Sequence, residues 1–133
     1  MIFEFPVRVY YEDTDAGGVV YHSNYLNFYE RARTEFLRSL GFEQDVLLEQ
    51  GLAFVVRRCE LDYLIAARFN DQLVVTVEVE QLKRASVVFK QKISTIDGNL
   101  LSSAQVVVVC VALEAMKPTA IPSHILKELQ RAS

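Results

Sequence analysis

The stretch Ser23-Asn24-Tyr25-Leu26-Asn27-Phe28-Tyr29-Glu30-Arg31-Ala32-Arg33-Thr34-Glu35-Phe36-Leu37-Arg38-Ser39-Leu40 sets the architecture. Tyr25, Phe28, Tyr29, Ala32, Phe36 and Leu40 recur at helical spacing and make one largely apolar face. Glu30, Arg31, Thr34 and Arg38 fall mostly elsewhere, and Arg31 stands one turn from Glu35, a spacing that suits an ion pair. The pattern predicts a helix from about His22 or Asn24 to Leu40. Ser23 or Asn24 is placed to cap its start and Gly41 to end it. A short second helix is expected over residues 44–50.

On either side of this helix the period changes from helical to alternating. Before it, Val7, Val9 and Tyr11 alternate with Arg8, Tyr10 and Glu12, so a strand is expected over residues 3–12, with Pro6 tolerated near its start. After it, residues 53–65, 73–82, 86–96 and 100–112 are rich in valine, isoleucine, leucine and phenylalanine. Leu73, Val75, Val77 and Val79 alternate with Thr76, Glu78 and Glu80. Asp97-Gly98 between two such runs is a hairpin signal. Pro118 and Pro122 bracket a tail loop, and Ser123 is positioned to cap a short terminal helix carrying Ile125, Leu126 and Leu129. Consecutive strands with short connections imply an antiparallel sheet. The expectation is one α+β domain over residues 1–133, with a five-stranded antiparallel sheet wrapped around one long helix. Periodicity leaves the strand order open.

Composition excludes several classes. The 133 residues are 51% hydrophobic and 23% charged, which argues for a folded domain rather than a disordered chain. A net charge of -3 without a basic run argues against nucleic acid as a partner. No stretch reaches the roughly 18 apolar residues of a membrane span, and Met1 to Pro6 does not read as a signal peptide. Cys59 and Cys110 lie in separate apolar, strand-like runs and read as small buried thiols. The cytoplasm is the expected compartment.

The chemistry is concentrated in Tyr11-Glu12-Asp13-Thr14-Asp15-Ala16-Gly17-Gly18-Val19-Val20-Tyr21-His22-Ser23-Asn24-Tyr25. Two aspartates stand in a loop between a strand and a helix. Gly17 and Gly18 allow backbone to approach a ligand. The loop delivers a helix N-terminus, whose free amide protons and dipole favour negative charge. A carboxylate beside such an anion-stabilising end is a sensible hydrolytic arrangement. Taken singly, each feature has an ordinary explanation: turn aspartates cap backbone, paired glycines make tight turns, and a histidine before a helix is commonly solvated.

The string resembles the 4-hydroxybenzoyl-CoA thioesterase family of hot-dog enzymes, and more closely its Tol–Pal-associated acyl-CoA thioesterases. The resemblance extends to Val7-Arg8-Val9-Tyr10-Tyr11, Tyr29-Glu30-Arg31-Ala32-Arg33-Thr34-Glu35, Ala53-Phe54-Val55-Val56-Arg57 and Met116-Lys117-Pro118. It implies a hot-dog fold and hydrolysis of acyl-coenzyme A without a metal or cofactor. It implies Asp15 as the catalytic carboxylate and the backbone amide of His22 as a donor to the thioester carbonyl. The His22 ring is a secondary catalytic candidate, and Asp13 is expected to hold the loop. Gly17, Gly18, Tyr21 and Tyr25 are expected to line the substrate. Arg57, Arg58, Lys83 and Arg84, with Lys90, are candidates for the coenzyme A phosphates. The resemblance further implies a homodimer or homotetramer with a shared active site, and acyl carrier protein as a possible partner.

The chemistry of the bond is compatible with so small a set. The leaving thiolate resembles a cysteine side chain, with a pKa of roughly 8.5, so it needs little help from an acid. One carboxylate, as base toward water or as direct nucleophile, suffices beside an oxyanion donor. Three rival readings differ in kind. An aspartyl phosphatase requires a parallel sheet, a hydroxyacyl thioester dehydratase requires the His22 imidazole as base, and a non-catalytic acyl-binding module tolerates loss of Asp15.

Overall fold

A computed structural model describes residues 1–133. Strand β1 (Phe3–Arg8) is followed by a 3-10 turn at Tyr11–Asp13, helix α1 (Asn24–Ser39) and helix α2 (Gln44–Glu49). Then come β2 (Leu52–Tyr63), β3 (Gln72–Leu82), β4 (Ser86–Thr95), β5 (Leu100–Ala112), the two-residue β6 (Lys117–Pro118) and helix α3 (Ser123–Ala132). The five long strands form one antiparallel sheet in the order β1-β3-β4-β5-β2, and β6 pairs with the end of β5. No pair is parallel, so the phosphatase arrangement is ruled out.

The apolar stripe of α1 is buried as expected: Tyr25, Phe28, Tyr29, Ala32 and Phe36 all face the sheet. Leu40 is only half-buried, and Leu37 takes its place in the core. Val75, Val77, Phe89, Ile93 and Val106 supply the opposing wall. Ile125 and Leu129 of α3 close the core from its edge. The helix ends in a Schellman turn, with Gly41 at φ +94°, its N–H donating to Arg38 O at 2.9 Å and the Phe42 N–H to Leu37 O at 3.1 Å.

Within this packing α1 buries a polar spine. The Tyr29 hydroxyl donates to Ser102 Oγ at 2.7 Å, and Arg33 Nη1 donates to Gln91 Oε1 at 2.9 Å. Gln91 Nε2 returns a bond to Tyr29 O at 3.1 Å. Burial pushes the Tyr29 phenol well above its ordinary pKa, so it remains a neutral donor.

Several local expectations are corrected. Strand β1 stops at Arg8 rather than residue 12, because its partner β3 begins opposite it at Gln72. Past that point the chain curls, and the Tyr10 N–H donates to Asp13 Oδ2 at 2.8 Å instead of to a strand. Neither Ser23 nor Ser123 caps a helix through its side chain, and the Asn24 amide is drawn to Asp13. The Arg31–Glu35 pair does not form. Glu35 pairs with Arg38, which also meets Glu43 at 3.1 Å, while Arg31 lies 6.0 Å from the centre of the Phe28 ring. Cys110 is buried, but Cys59 is only half-buried. No helix is long and apolar enough to cross a membrane.

Candidate active site

The loop from Asp13 to Asn24 is built around the first of its two aspartates. Asp13 is 7% exposed, and its carboxylate accepts from the Tyr10 N–H at 2.8 Å and the Asn24 amide at 2.6 Å. Its own carbonyl accepts the Tyr21 N–H at 2.9 Å. One buried side chain therefore ties the end of the first strand to the start of α1.

Asp15 has the opposite setting. It is exposed, and its Oδ1 accepts only the Gly17 N–H, at 2.8 Å. Its Oδ2 accepts no hydrogen bond from the protein. The loop that carries it is hydrogen-bonded within itself: the Asp15 N–H donates to Val19 O at 2.9 Å, the Gly18 N–H donates to Asp15 O at 3.0 Å, and Thr14 bridges Val20. Gly18 sits at φ +80°, a conformation that disfavours a side chain. A Cβ on Gly17 would lie 3.2 Å from Asp15 Oδ1, so the absence of a side chain there leaves the carboxylate its position. The Val20 N–H, donating to Ala67 O at 2.8 Å, and a bridge from Val19 to Arg68 pin the loop to the segment before β3.

Helix α1 begins two residues past His22. The His22 amide donates to no group in the protein, whereas the neighbouring Tyr21 and Asn24 amides are both engaged. It is thus an unpaired donor at the entry to a 16-residue helix, where the dipole favours developing negative charge. The His22 ring is exposed and lies 4.6 Å from the Tyr21 ring.

Tyr63 is a neighbour of this loop that sequence reading does not identify. It stands at the end of β2, donates its hydroxyl to His22 O at 3.0 Å and meets the Tyr25 ring edge-on at 5.1 Å. Burial, and then the neighbouring Tyr25, hold the Tyr63 phenol above its ordinary pKa, so it remains a donor. Tyr25 itself is buried, and its hydroxyl accepts the Ala67 N–H at 3.0 Å. Tyr25 therefore acts as a brace. Tyr21 is half exposed beside His22.

Asp15, Ala16 and Gly18 line an open cleft of about 550 Å³ with Thr14, Tyr11 and Phe69. The last two rings form an edge-on pair 6.1 Å apart. The sequence pattern placed Tyr11 in a strand, and nothing in it pointed to Phe69.

The basic candidates do not join this cleft within one chain. Lys83 and Arg84 occupy the turn between β3 and β4, at the far end of β3 from the pinned Asp15 loop. Eleven strand residues separate the two ends, a span of about 36 Å. Arg57 is the extra residue of a bulge in β2, Arg58 pairs with Glu60, and Lys90 lies among Glu60, Asp62 and Glu80 around a polar surface hollow. No group of three His, Cys, Asp or Glu side chains converges as a metal site would require.

A sheet curled around one helix, with a carboxylate loop at that helix's start, has close counterparts. A family profile described as the thioesterase-like superfamily matches residues 9–129. The chain is 55% identical over 124 residues to the acyl-CoA thioesterase YbgC of Haemophilus influenzae, covering 92% of this chain and 90% of that one. It is 48% identical over 130 residues to the acyl-CoA thioester hydrolase YbgC of Escherichia coli O6:H1, covering 98% and 97%. Among solved structures, a 1,4-dihydroxy-2-naphthoyl-CoA thioesterase from Synechocystis superposes with a TM-score of 0.92 at 26% identity, over 98% of this chain and 96% of that one. The architecture is the hot-dog fold expected from the sequence, and with a match of this extent and these relatives the chain belongs to the thioesterase-like superfamily.

Proposed function

We propose that this protein hydrolyses acyl-coenzyme A thioesters to the free acid and coenzyme A, with Asp15 as the reacting carboxylate. The observation that carries the assignment is the contrast within the loop. Asp13 spends both oxygens on structure, while Asp15 keeps Oδ2 free at an open cleft. The similarity to named acyl-CoA thioesterases supplies the bond to be broken.

Two routes fit this geometry. In the first, Asp15 takes a proton from water, and the hydroxyl oxygen adds to the carbonyl carbon. The carbonyl oxygen becomes an oxyanion that accepts from the His22 amide. Collapse of the intermediate breaks the C–S bond, the thiolate leaves with its electron pair, and the proton held by Asp15 returns to it. In the second, Asp15 attacks directly, the thiolate leaves from an acyl anhydride, and water then cleaves that anhydride. In both, the Tyr63 bond to His22 O helps to hold the donor in place.

The shared site is also part of the proposal. Strand β2 is an edge of the sheet, and a 12-residue edge left open is a template for association. Val56, Tyr63, Leu64 and Ile65 along and just beyond it are about half exposed or more. A two-fold pairing of β2 with β2 of a second copy is antiparallel, so it inverts one chain against the other. The end carrying Lys83 and Arg84 in one copy is then turned toward the Asp15 end of the next. That inversion answers the separation found within one chain and makes Arg57, Arg58, Lys83 and Arg84 reasonable phosphate contacts across the pair. A dimer is the minimum assembly. The motif resemblance adds a tetramer, placement in the Tol–Pal-associated branch of the 4-hydroxybenzoyl-CoA family and an acyl carrier protein partner; the cytoplasm is the proposed compartment on the sequence reading alone.

A thiol-release assay over short-chain, long-chain and aromatic acyl-coenzyme A substrates tests the activity. Turnover of at least one class is expected, and none above the uncatalysed rate would refute it. Sedimentation at micromolar concentration tests the shared site. A monomer-sized species with full activity would overturn it.

A further inference from the structure

The segment between β2 and β3 holds a side chain that the roles of Asp15 and His22 leave unexplained. Phe69 is 54% exposed and stands at the tip of a heavily bonded turn. The Arg68 N–H donates to Asp71 Oδ2 at 2.9 Å, and the Asp71 N–H donates back to Arg68 O at 3.1 Å. Asn70 sits in the left-handed region at φ +69°, which asparagine tolerates better than most residues. Arg8 Nη1 donates to the Asn70 backbone oxygen at 3.0 Å and to its side-chain oxygen at 3.2 Å. The Val9 N–H donates to Asp71 O at 3.0 Å, and the Asn70 N–H donates to Val9 O at 2.9 Å. The turn is thus tied to the end of β1, and it presents an aromatic ring to water.

One exposed apolar side chain is ordinary. Phe69 is not alone, however. It lies edge-on to Tyr11, which is more exposed still, and both rings line the cleft that holds Asp15. An edge-on pair leaves at least one face of the Phe69 ring uncovered by Tyr11. The polar lining beside it is already engaged. The Thr14 hydroxyl donates to Tyr11 O at 2.7 Å, and the Gly18 N–H donates to Asp15 O at 3.0 Å. Ala16 adds a methyl group. Such a wall suits hydrocarbon better than the amide groups of a pantetheine arm, which lose free energy where they find no partner.

The strand order supplies a direction. Phe69 precedes β3, and β4 and β5 stand between β3 and the β2 edge, a distance of about 14 Å. The proposed coenzyme A arm arrives across β2. The group that reaches Phe69 is then the other arm of the thioester.

We propose that Phe69 is a specificity residue for the hydrolysis assigned to Asp15, its open ring face receiving the hydrocarbon part of the acyl group. The inference rests on that reading and deepens it by naming the arm of the substrate that enters the Asp15 cleft.

The chain contains no tryptophan, so Phe69→Trp places a single fluorescent reporter at the turn. Titration with S-hexyl-coenzyme A, a thioether that cannot be hydrolysed as a thioester, should shift its emission to the blue and saturate. S-methyl-coenzyme A, which carries the same nucleotide arm, should not. In turnover, Phe69→Ala should lower the preference for hexanoyl- over acetyl-coenzyme A, read as the ratio of kcat/KM values, by about three- to tenfold. That is the effect of losing roughly 30–50 Å² of apolar contact, and it should fall on KM rather than kcat. Phe69→Leu, which keeps an apolar side chain, should restore most of the preference. The side chain is half exposed, so neither truncation opens a cavity in the core. Equal responses to the two thioethers would put the coenzyme arm on the ring and overturn the proposal. So would no response to either, or an unchanged preference in Phe69→Ala. The titration needs no turnover, which separates the two readings: absence of thiol release from the wild type counts against hydrolysis, and absence of a chain-dependent response counts against Phe69.

Discussion

Asp13 and Asp15 stand two residues apart in one loop and have opposite surroundings. Asp13 is buried and bonded at both oxygens, with Tyr10 on one side and Asn24 on the other. Asp15 is exposed, bonded through one oxygen to a glycine amide, and open to a cleft through the other. A buried side chain that accepts a structural bond at each oxygen stabilises a fold, and protonating it would weaken those bonds. A side chain held at one oxygen is oriented and still reactive. The comparison teaches that the two carboxylates differ in kind: the first is built into the helix entry, and the second is left open there, which is why the proposed reaction is assigned to it.

The sharpest way to break this comparison is to neutralise Asp15. Asp15→Asn is expected to lower kcat by at least about a hundredfold, the lower range for losing a general base, with the thermal midpoint little changed. His22→Ala should cost less, about tenfold or below, because the amide proposed to face the carbonyl belongs to the backbone and survives the change. Steady-state kinetics of both variants on one substrate decide the order. An equal or larger loss for His22→Ala would make the imidazole a direct participant.

Asp13 should respond in the other currency. Asp13→Ala leaves the Tyr10 N–H and the Asn24 amide without their acceptor and is expected to lower stability by about 2–3 kcal/mol, read by denaturant unfolding. A variant of unchanged stability but no activity would move the chemistry from Asp15 to Asp13. The smallest effect is expected at Tyr63. Tyr63→Phe removes one half-exposed hydrogen bond to His22 O and should lower kcat/KM only a few-fold, about 0.5–1 kcal/mol. A loss as large as that of Asp15→Asn would place the Tyr63 hydroxyl on the reacting groups themselves.

Much of this was legible in the residues. The apolar stripe of residues 25–36, the glycine stop at Gly41 and the alternating valines of β3 are local signals, and each element formed within a residue or two of its expected bounds. The loop motif pointed to Asp15, whose catalytic role stands as a proposal. Local signals also misled. Val7, Val9 and Tyr11 alternate like a strand, but a strand lasts only as long as its neighbour, and β3 begins opposite Arg8. Arg31 and Glu35 have the right spacing to pair, but Arg38 meets Glu35 and Glu43 together.

By itself the sequence determined the helix, the five long strands and the two-aspartate loop that leads into the helix, because backbone propensity, hydrophobic period and turn chemistry act between residues close in the chain. Only the tertiary structure decided the order β1-β3-β4-β5-β2, which leaves β2 as an edge and separates Lys83 and Arg84 from the Asp15 loop. It alone brought Tyr63 to His22, 41 residues away, and Arg33 to Gln91, 58 residues away. Those contacts follow from how the sheet curls around α1, and a curl is a property of the packed whole that no window of sequence contains.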